Sequence, residues 1–253
     1  MENNNLTADR IKIISPASDE NPFCIIYKPH NIPSAPLSFD DKGNALYQAA
    51  ELFPEIKNVS GKKEIEYGLI HRLDTATDGL LLIATTQESY DYFIAQQAEG
   101  KFIKYYKAKC DYIKDNADLL KGFPKLTAFN FESNETVIKS CFRPFGPGHK
   151  EVRPVIESSS SIALKKGGAK KYSTKISVIK KDDLYIADCS ITSGYRHQVR
   201  CHLAWAGYPV KNDVLYNSKT KESGLSTDVL QFTAYAFEFI HPVTHKKEKV
   251  VIA

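Results

Sequence analysis

The run His71-Arg72-Leu73-Asp74, continuing through Thr75-Ala76-Thr77-Asp78-Gly79 into the apolar stretch Leu80-Leu81-Leu82-Ile83-Ala84, sets a carboxylate beside an arginine in a turn that opens a strand. Loops fixed by strands hold the backbone while leaving the side chain open to substrate. Asp74 is therefore a candidate catalyst. An aspartate in such a place more often caps its own turn, so the assignment depends on partners elsewhere. Two segments offer them. Ser193 to Leu203 is dense in groups that bind anions and bases. On a helix, His197, Arg200, Cys201 and Ala204 would share one side, with Val199, Leu203 and Ala206 on a neighbouring apolar stripe. Such a helix could rest on a sheet and present Arg200. Taken alone, the segment reads as a surface helix with a basic face. His197 and His202 lie five apart with no carboxylate neighbour, so they do not make a metal site. The third segment, Lys104-Tyr105-Tyr106-Lys107-Ala108-Lys109, alternates basic and aromatic residues. On a strand, period two groups Tyr106 with Lys104 and Ala108, and a tyrosine ring can stack on a base while its hydroxyl reaches a polar atom.

The elements that must position these groups are legible in outline. Phe23 to Lys28 is a short apolar run stopped by Pro29, a strand entering a loop. Leu46, Ala49, Ala50 and Phe53 have the spacing of an amphipathic helix, ended by Pro54. Leu80 to Ala84 has strand length, and Thr85 with Glu88 forms a capping-box pattern ahead of a helix running to Gly100. Further strands are expected at Ile103 to Cys110, Thr174 to Ile179, Leu184 to Ile191 and Gln231 to Ile240, the last paired with Lys249 to Ile252. A helix is expected from Arg196 to Ala206, closed by Gly207 and Pro209. The stretch from Lys114 to Lys171 reads as loop-rich, and the chain up to about Asn21 as a polar leader. Strands outnumber helices without strict βαβ alternation. The expected class is α+β, a mixed and largely antiparallel sheet flanked by helices.

Bulk properties narrow the function classes. The 253 residues are 42% hydrophobic, enough for a substantial core. The balance of 34 Lys+Arg against 30 Asp+Glu permits a nucleic-acid partner without demanding one. The five cysteines, Cys24, Cys110, Cys141, Cys189 and Cys201, are far apart and have no metal-ligand spacing. Thiols packed as small hydrophobes in a reducing, cytoplasmic setting are the simplest expectation. No secretory pattern and no segment of membrane-spanning length appears.

Taken in order, these segments resemble the RluA family of pseudouridine synthases. The resemblance is carried by Lys28-Pro29, by His71-Arg72-Leu73-Asp74-x-x-Thr77-x-Gly79-Leu80 and by Lys104-x-Tyr106-x-Ala108. It continues in Gly194-x-x-His197-Gln198-Val199-Arg200-x-His202-Leu203, with Gly207-x-Pro209, Asp213 and Leu215-Tyr216 downstream. It implies one catalytic domain over residues 1–253, built on a bent mixed sheet, with no separate N-terminal RNA-binding domain. It also implies isomerisation of uridine in ribosomal or transfer RNA by a monomer without cofactor or metal. By the same resemblance Asp74 is the nucleophile or base, Arg200 its ion-pair partner and Tyr106 the active-site aromatic. Arg72 would help hold the substrate nucleotide out of its stack, with Lys28, His71, Lys104 and His197 as further substrate-binding residues. On this reading Arg200→Met should lower activity far more than stability. Tyr195-Arg196, Asp78 and Lys211-Asn212 depart from the pattern many members carry. Two rivals remain: a non-catalytic RNA-binding or RNA-folding protein on the same scaffold, and a glycosidase or glycosyltransferase, which would usually need a second positioned carboxylate.

Overall fold

The structure, a computed structural model, describes residues 10–113, 120–125, 135–223 and 228–252. Ten strands in these residues form mixed β-sheet, with few and short helices around it, which is the expected α+β class. The chain divides into two compact units, one of residues 1–104 with 233–253 and the other of residues 105–232.

In the first unit, strands β1 (Lys12–Ser15), β2 (Phe23–Lys28), β3 (Asp78–Ala84) and β9 (Phe232–Ile240) lie in that order, and β10 (Lys247–Val251) pairs with β9. β2 meets β3 antiparallel from Phe23↔Ala84 to Lys28↔Gly79, while β3 and β9 run parallel through Asp78↔Thr233 and Gly79↔Ala234. All seven residues of β3 are buried, as its unbroken apolar text requires. Gly79 has φ 126°, and a Cβ there would collide with the Ala234 carbonyl. Only glycine allows this approach of β9 to the strand that follows Asp74. Helices α1 (Ala45–Leu52) and α2 (Gln87–Ala98) belong to this unit. Its core is aromatic: Phe23 meets Phe93 edge-on at 5.3 Å, and Phe102 stacks on Phe237 at 5.6 Å.

The second unit carries β4 (Ile103–Cys110), which enters it at Tyr105, and then β8 (Leu184–Ile191), β7 (Tyr172–Lys181), β5 (Thr136–Phe145) and β6 (Glu151–Val155) in spatial order. Helices α3 (Ser161–Lys166), α4 (Gln198–Trp205) and α5 (Ser218–Ser223) complete it. Phe142, Val152, Cys201, Ala204 and Tyr216 form a core under α4.

Four expectations are corrected. The polar leader contains β1, a mostly exposed strand held to β2 by backbone pairing rather than by burial, so hydrophobic patterning does not reveal it. The loop-rich stretch contains β5 and β6, where Pro144 faces Val152 and Pro154 faces Phe142. β6 ends the strand order, where an edge tolerates Pro154, and Pro144 lies in the half of β5 beyond its pairing with β7. The cap of α2 is Thr86, whose side chain accepts from the Ser89 amide, because the Thr85 amide is already bound to the Pro22 carbonyl. Finally, α4 is no surface helix: all eight of its residues are buried, and it begins two residues late because His197 adopts a left-handed conformation at φ 56°.

Candidate active site

The tetrad follows a short extension of the first unit's sheet. Leu69 bridges to Ile83 and the Ile70 amide donates to the Leu82 carbonyl at 3.2 Å. Burial then alternates: His71 and Leu73 point inward, Arg72 is exposed and Asp74 is half-buried. The pattern explains why the arginine and the carboxylate stand two apart, since both must reach the open side. Ser34 fixes the backbone immediately before Asp74. Its hydroxyl accepts from the Leu73 amide at 2.9 Å and donates to the Leu73 carbonyl at 2.8 Å. The Thr77 amide closes the turn on the Asp74 carbonyl at 3.0 Å.

Lys28 holds the far side of that turn from inside the protein. Its side chain is wholly buried, and Nζ donates to the carbonyls of Pro29 (2.9 Å), Ile32 (2.8 Å) and Thr75 (3.2 Å). Burial lowers its pKa from 10.5 to about 8 despite the opposing pull of Asp78 and Asp74. His71 is a core residue, with its ring 5.7 Å from Phe102 and 6.0 Å from Phe237 and no hydrogen-bond partner for either nitrogen among the described residues. Burial, with Lys104 adding to it, holds it well below the ordinary histidine range. Arg72 pairs with Glu66 at 3.1 Å, with 60% of its side chain exposed. Thus the structure gives Arg72 to solvent and keeps Lys28 and His71 inside, Lys28 bracing the turn and His71 packed in the core before it.

The remaining site residues lie on the second unit or at its boundary. β4 has the expected period, with Lys104, Tyr106, Ala108 and Cys110 on its buried face. Tyr106 stacks flat on Phe232, centroids 5.2 Å apart and planes 9° from parallel. Arg200 is 4% exposed and grips Asp213 bidentately, Nε to Oδ2 and Nη2 to Oδ1, both at 2.8 Å. Asp213 Oδ1 also accepts the amides of Leu215 and Tyr216. The Tyr216 hydroxyl accepts the Val152 amide at 2.9 Å and lies 2.9 Å from Nδ1 of His197. Gln198 reaches the Ser173 carbonyl and Thr174 hydroxyl, and accepts from the Tyr195 amide. His202 is a core residue between the hydroxyls of Ser140 and Thr174, and burial lowers its pKa to about 3. Among the described residues no group of three His, Cys, Asp or Glu converges as a metal site.

Sequence reasoning did not assign Asp213, Tyr216 or Ser34 to the site. Asp213 and Tyr216 stood in the motif text without a role, and Ser34 lies 39 residues from its partner, a separation that no local period encodes.

This turn, this buried arginine helix and this mixed sheet define a class of protein. The profile for RNA pseudouridylate synthase matches residues 22–205, so the chain belongs to the RNA pseudouridylate synthase family. Among its relatives, an RNA pseudouridine synthase named as uncharacterised, from Mycoplasma pneumoniae, is 26% identical over 231 residues, covering 90% of this chain and 63% of that one. RNA pseudouridine synthase 7 of Arabidopsis thaliana is 31% identical, over 58% of this chain and 33% of its own. Ribosomal large subunit pseudouridine synthase D of Zymomonas mobilis is 24% identical, over 71% and 50%. The expected RluA-type membership holds. The chain spans about one third to two thirds of the length of these relatives. In fold it is similar to the human RNA Pseudouridylate Synthase Domain Containing 1, with a TM-score of 0.64 at 17% identity, covering all of this chain and 86% of that one.

Proposed function

We propose that this protein isomerises uridine to pseudouridine within ribosomal or transfer RNA, with Asp74 as the catalytic carboxylate. The observation that carries the reading is the turn: Ser34 fixes the backbone at Leu73, Lys28 holds the carbonyl of Thr75, and Asp74 stands between them half-exposed. A backbone held on both sides of Asp74 is what the positioning of a reacting group requires.

The reaction breaks the bond from N1 to C1′, turns the base and joins C5 to C1′, with no net redox change. Asp74 serves it by attacking C1′ as uracil leaves with the bonding pair, or by removing a sugar proton to give an eliminated intermediate. C5 then bonds to C1′ as the Asp74 carboxylate leaves, or as the sugar regains the proton it gave up, and C5 loses its hydrogen while N1 gains one. Uracil must stay enclosed between the two bond changes, and we assign Tyr106 to that enclosure and Arg200 to the charge of the site. Arg72, Lys104 and His197 are assigned to the RNA, Lys28 to bracing the turn and His71 to the core before it. A uridine stacked in a helix is out of reach, so the target is flipped out or lies in a loop.

Mapping pseudouridine across the transcriptome tests the proposal. Cells carrying only Asp74→Ala should lack pseudouridine at one or a few ribosomal or transfer RNA positions that the parent restores. Identical maps would reject the reading, as would parent protein that binds RNA and modifies none. Release of free uracil would point to a glycosidase instead.

A further inference from the structure

Asp78, the first residue of β3, is 5% exposed and sits four positions after Asp74. Its Oδ2 accepts the hydroxyl of Tyr27 and lies 3.5 Å from Nε2 of His30, while its Oδ1 accepts the Thr233 hydroxyl at 2.8 Å. A carboxylate so far out of water is costly unless charge and hydrogen bonds compensate it. Of the groups that compensate it, His30 and Lys28 also hold the turn. Nδ1 of His30 is 2.9 Å from the carbonyl of Ala76. A carbonyl only accepts, so Nδ1 carries the hydrogen, and Nε2, facing the carboxylate of Asp78, is attracted to it only with a hydrogen of its own. One residue earlier in the turn, the Thr75 carbonyl accepts from Lys28, whose ammonium is held in its charged form partly by Asp78.

Two successive carbonyls of the turn after Asp74 are thus gripped by side chains from one short segment, Lys28 to His30, and both grips are referred to Asp78. We infer that Asp78 is a positioning residue: anchored by Tyr27 and Thr233, it locks through His30 and Lys28 the turn that aims Asp74, without itself touching the reacting atoms. The inference rests on Asp74 being the reactive group. Its reach is large because displacing a reacting group by about 1 Å can cost on the order of a hundredfold in rate.

The test uses the full chain with Asp78→Ala and Asp78→Asn, two readouts each. One is hydrogen exchange at the Thr77 amide, which closes the turn on Asp74, compared with Leu81 and Leu82 in β3. The other is the isomerisation rate at saturating RNA beside RNA affinity. Asp78→Ala should speed Thr77 exchange roughly tenfold or more while the β3 amides stay within about twofold. It should slow the saturated rate by about 30 to 100-fold, with RNA affinity within about threefold of the parent. Asp78→Asn, which keeps the shape and one acceptor oxygen, should fall between Ala and parent in both readouts, and it carries the comparison if Asp78→Ala fails to fold. Unchanged Thr77 exchange would overturn the inference. So would loosening shared equally by β3, or a loss of affinity at an unchanged saturated rate. Should the parent modify no RNA while Thr77 still loosens, the proposed reaction falls and the lock on the turn stands.

Discussion

Arg200 was expected to serve the reaction more than the fold, and its contacts alter that balance. Asp213 is fully buried, and its carboxylate is matched by the guanidinium with two 2.8 Å bonds. Removing one partner of a buried pair leaves an uncompensated charge, which typically costs about 3–5 kcal/mol. Arg200→Met should therefore lower the free energy of urea unfolding by about that amount. The double variant Arg200→Met with Asp213→Asn should recover part of the loss, because the stranded charge is gone. An Arg200→Met protein as stable as the parent would show that Asp213 is compensated by other groups. The motif text displays the arginine; its buried aspartate, 13 residues on, belongs to no helical or strand period and is found only in the folded chain.

At the scale of elements, the stretch most readable in sequence is the one that carries the candidate chemistry. β2, β4 and β8 occupy the expected residues because a stop residue or clean alternation bounds each. β1, β5 and β6 escape the same reading, since edge pairing and strand prolines leave no hydrophobic signature. The turn after Asp74 is legible as a turn, but its braces are not: Lys28 at the end of β2, and His30 and Ser34 in the loop after it, lie 39 to 47 residues away. Lys28 gives these braces a pH signature. Its folded pKa of about 8 lies below the ordinary 10.5, so between those values the unfolded chain holds a proton that the folded chain has lost. Stability then rises with pH across that window. Measured by urea unfolding, the advantage of the parent over Lys28→Met should widen from pH 8 to pH 10.5, by up to about 3 kcal/mol. A gap that stays constant would mean that Lys28 is not charged against its burial.

Across the whole molecule, acid sensitivity follows from two imidazoles kept neutral, His71 in one unit and His202 in the other. Both have folded values below the unfolded one near 6.5, so as pH falls through 6.5 the unfolded chain takes up protons that the folded chain refuses. Stability should drop between pH 7 and pH 5, by about 2 kcal/mol for His202, with His71 adding to the drop in the same direction. His202→Gln should remove one share of that drop, and a flat profile in the parent would contradict both burials. The family match over residues 22–205 and the fold similarity make RNA the substrate class to test. Isomerisation at C5 exchanges that carbon's hydrogen with water, so ribosomal and transfer RNA transcripts labelled with tritium at C5 of uridine report the reaction directly. The most direct measurement is tritium release by purified parent and Asp74→Asn under single-turnover conditions. The account requires release from at least one transcript by the parent and a loss of at least about a thousandfold in Asp74→Asn. Equal release by both proteins would contradict it.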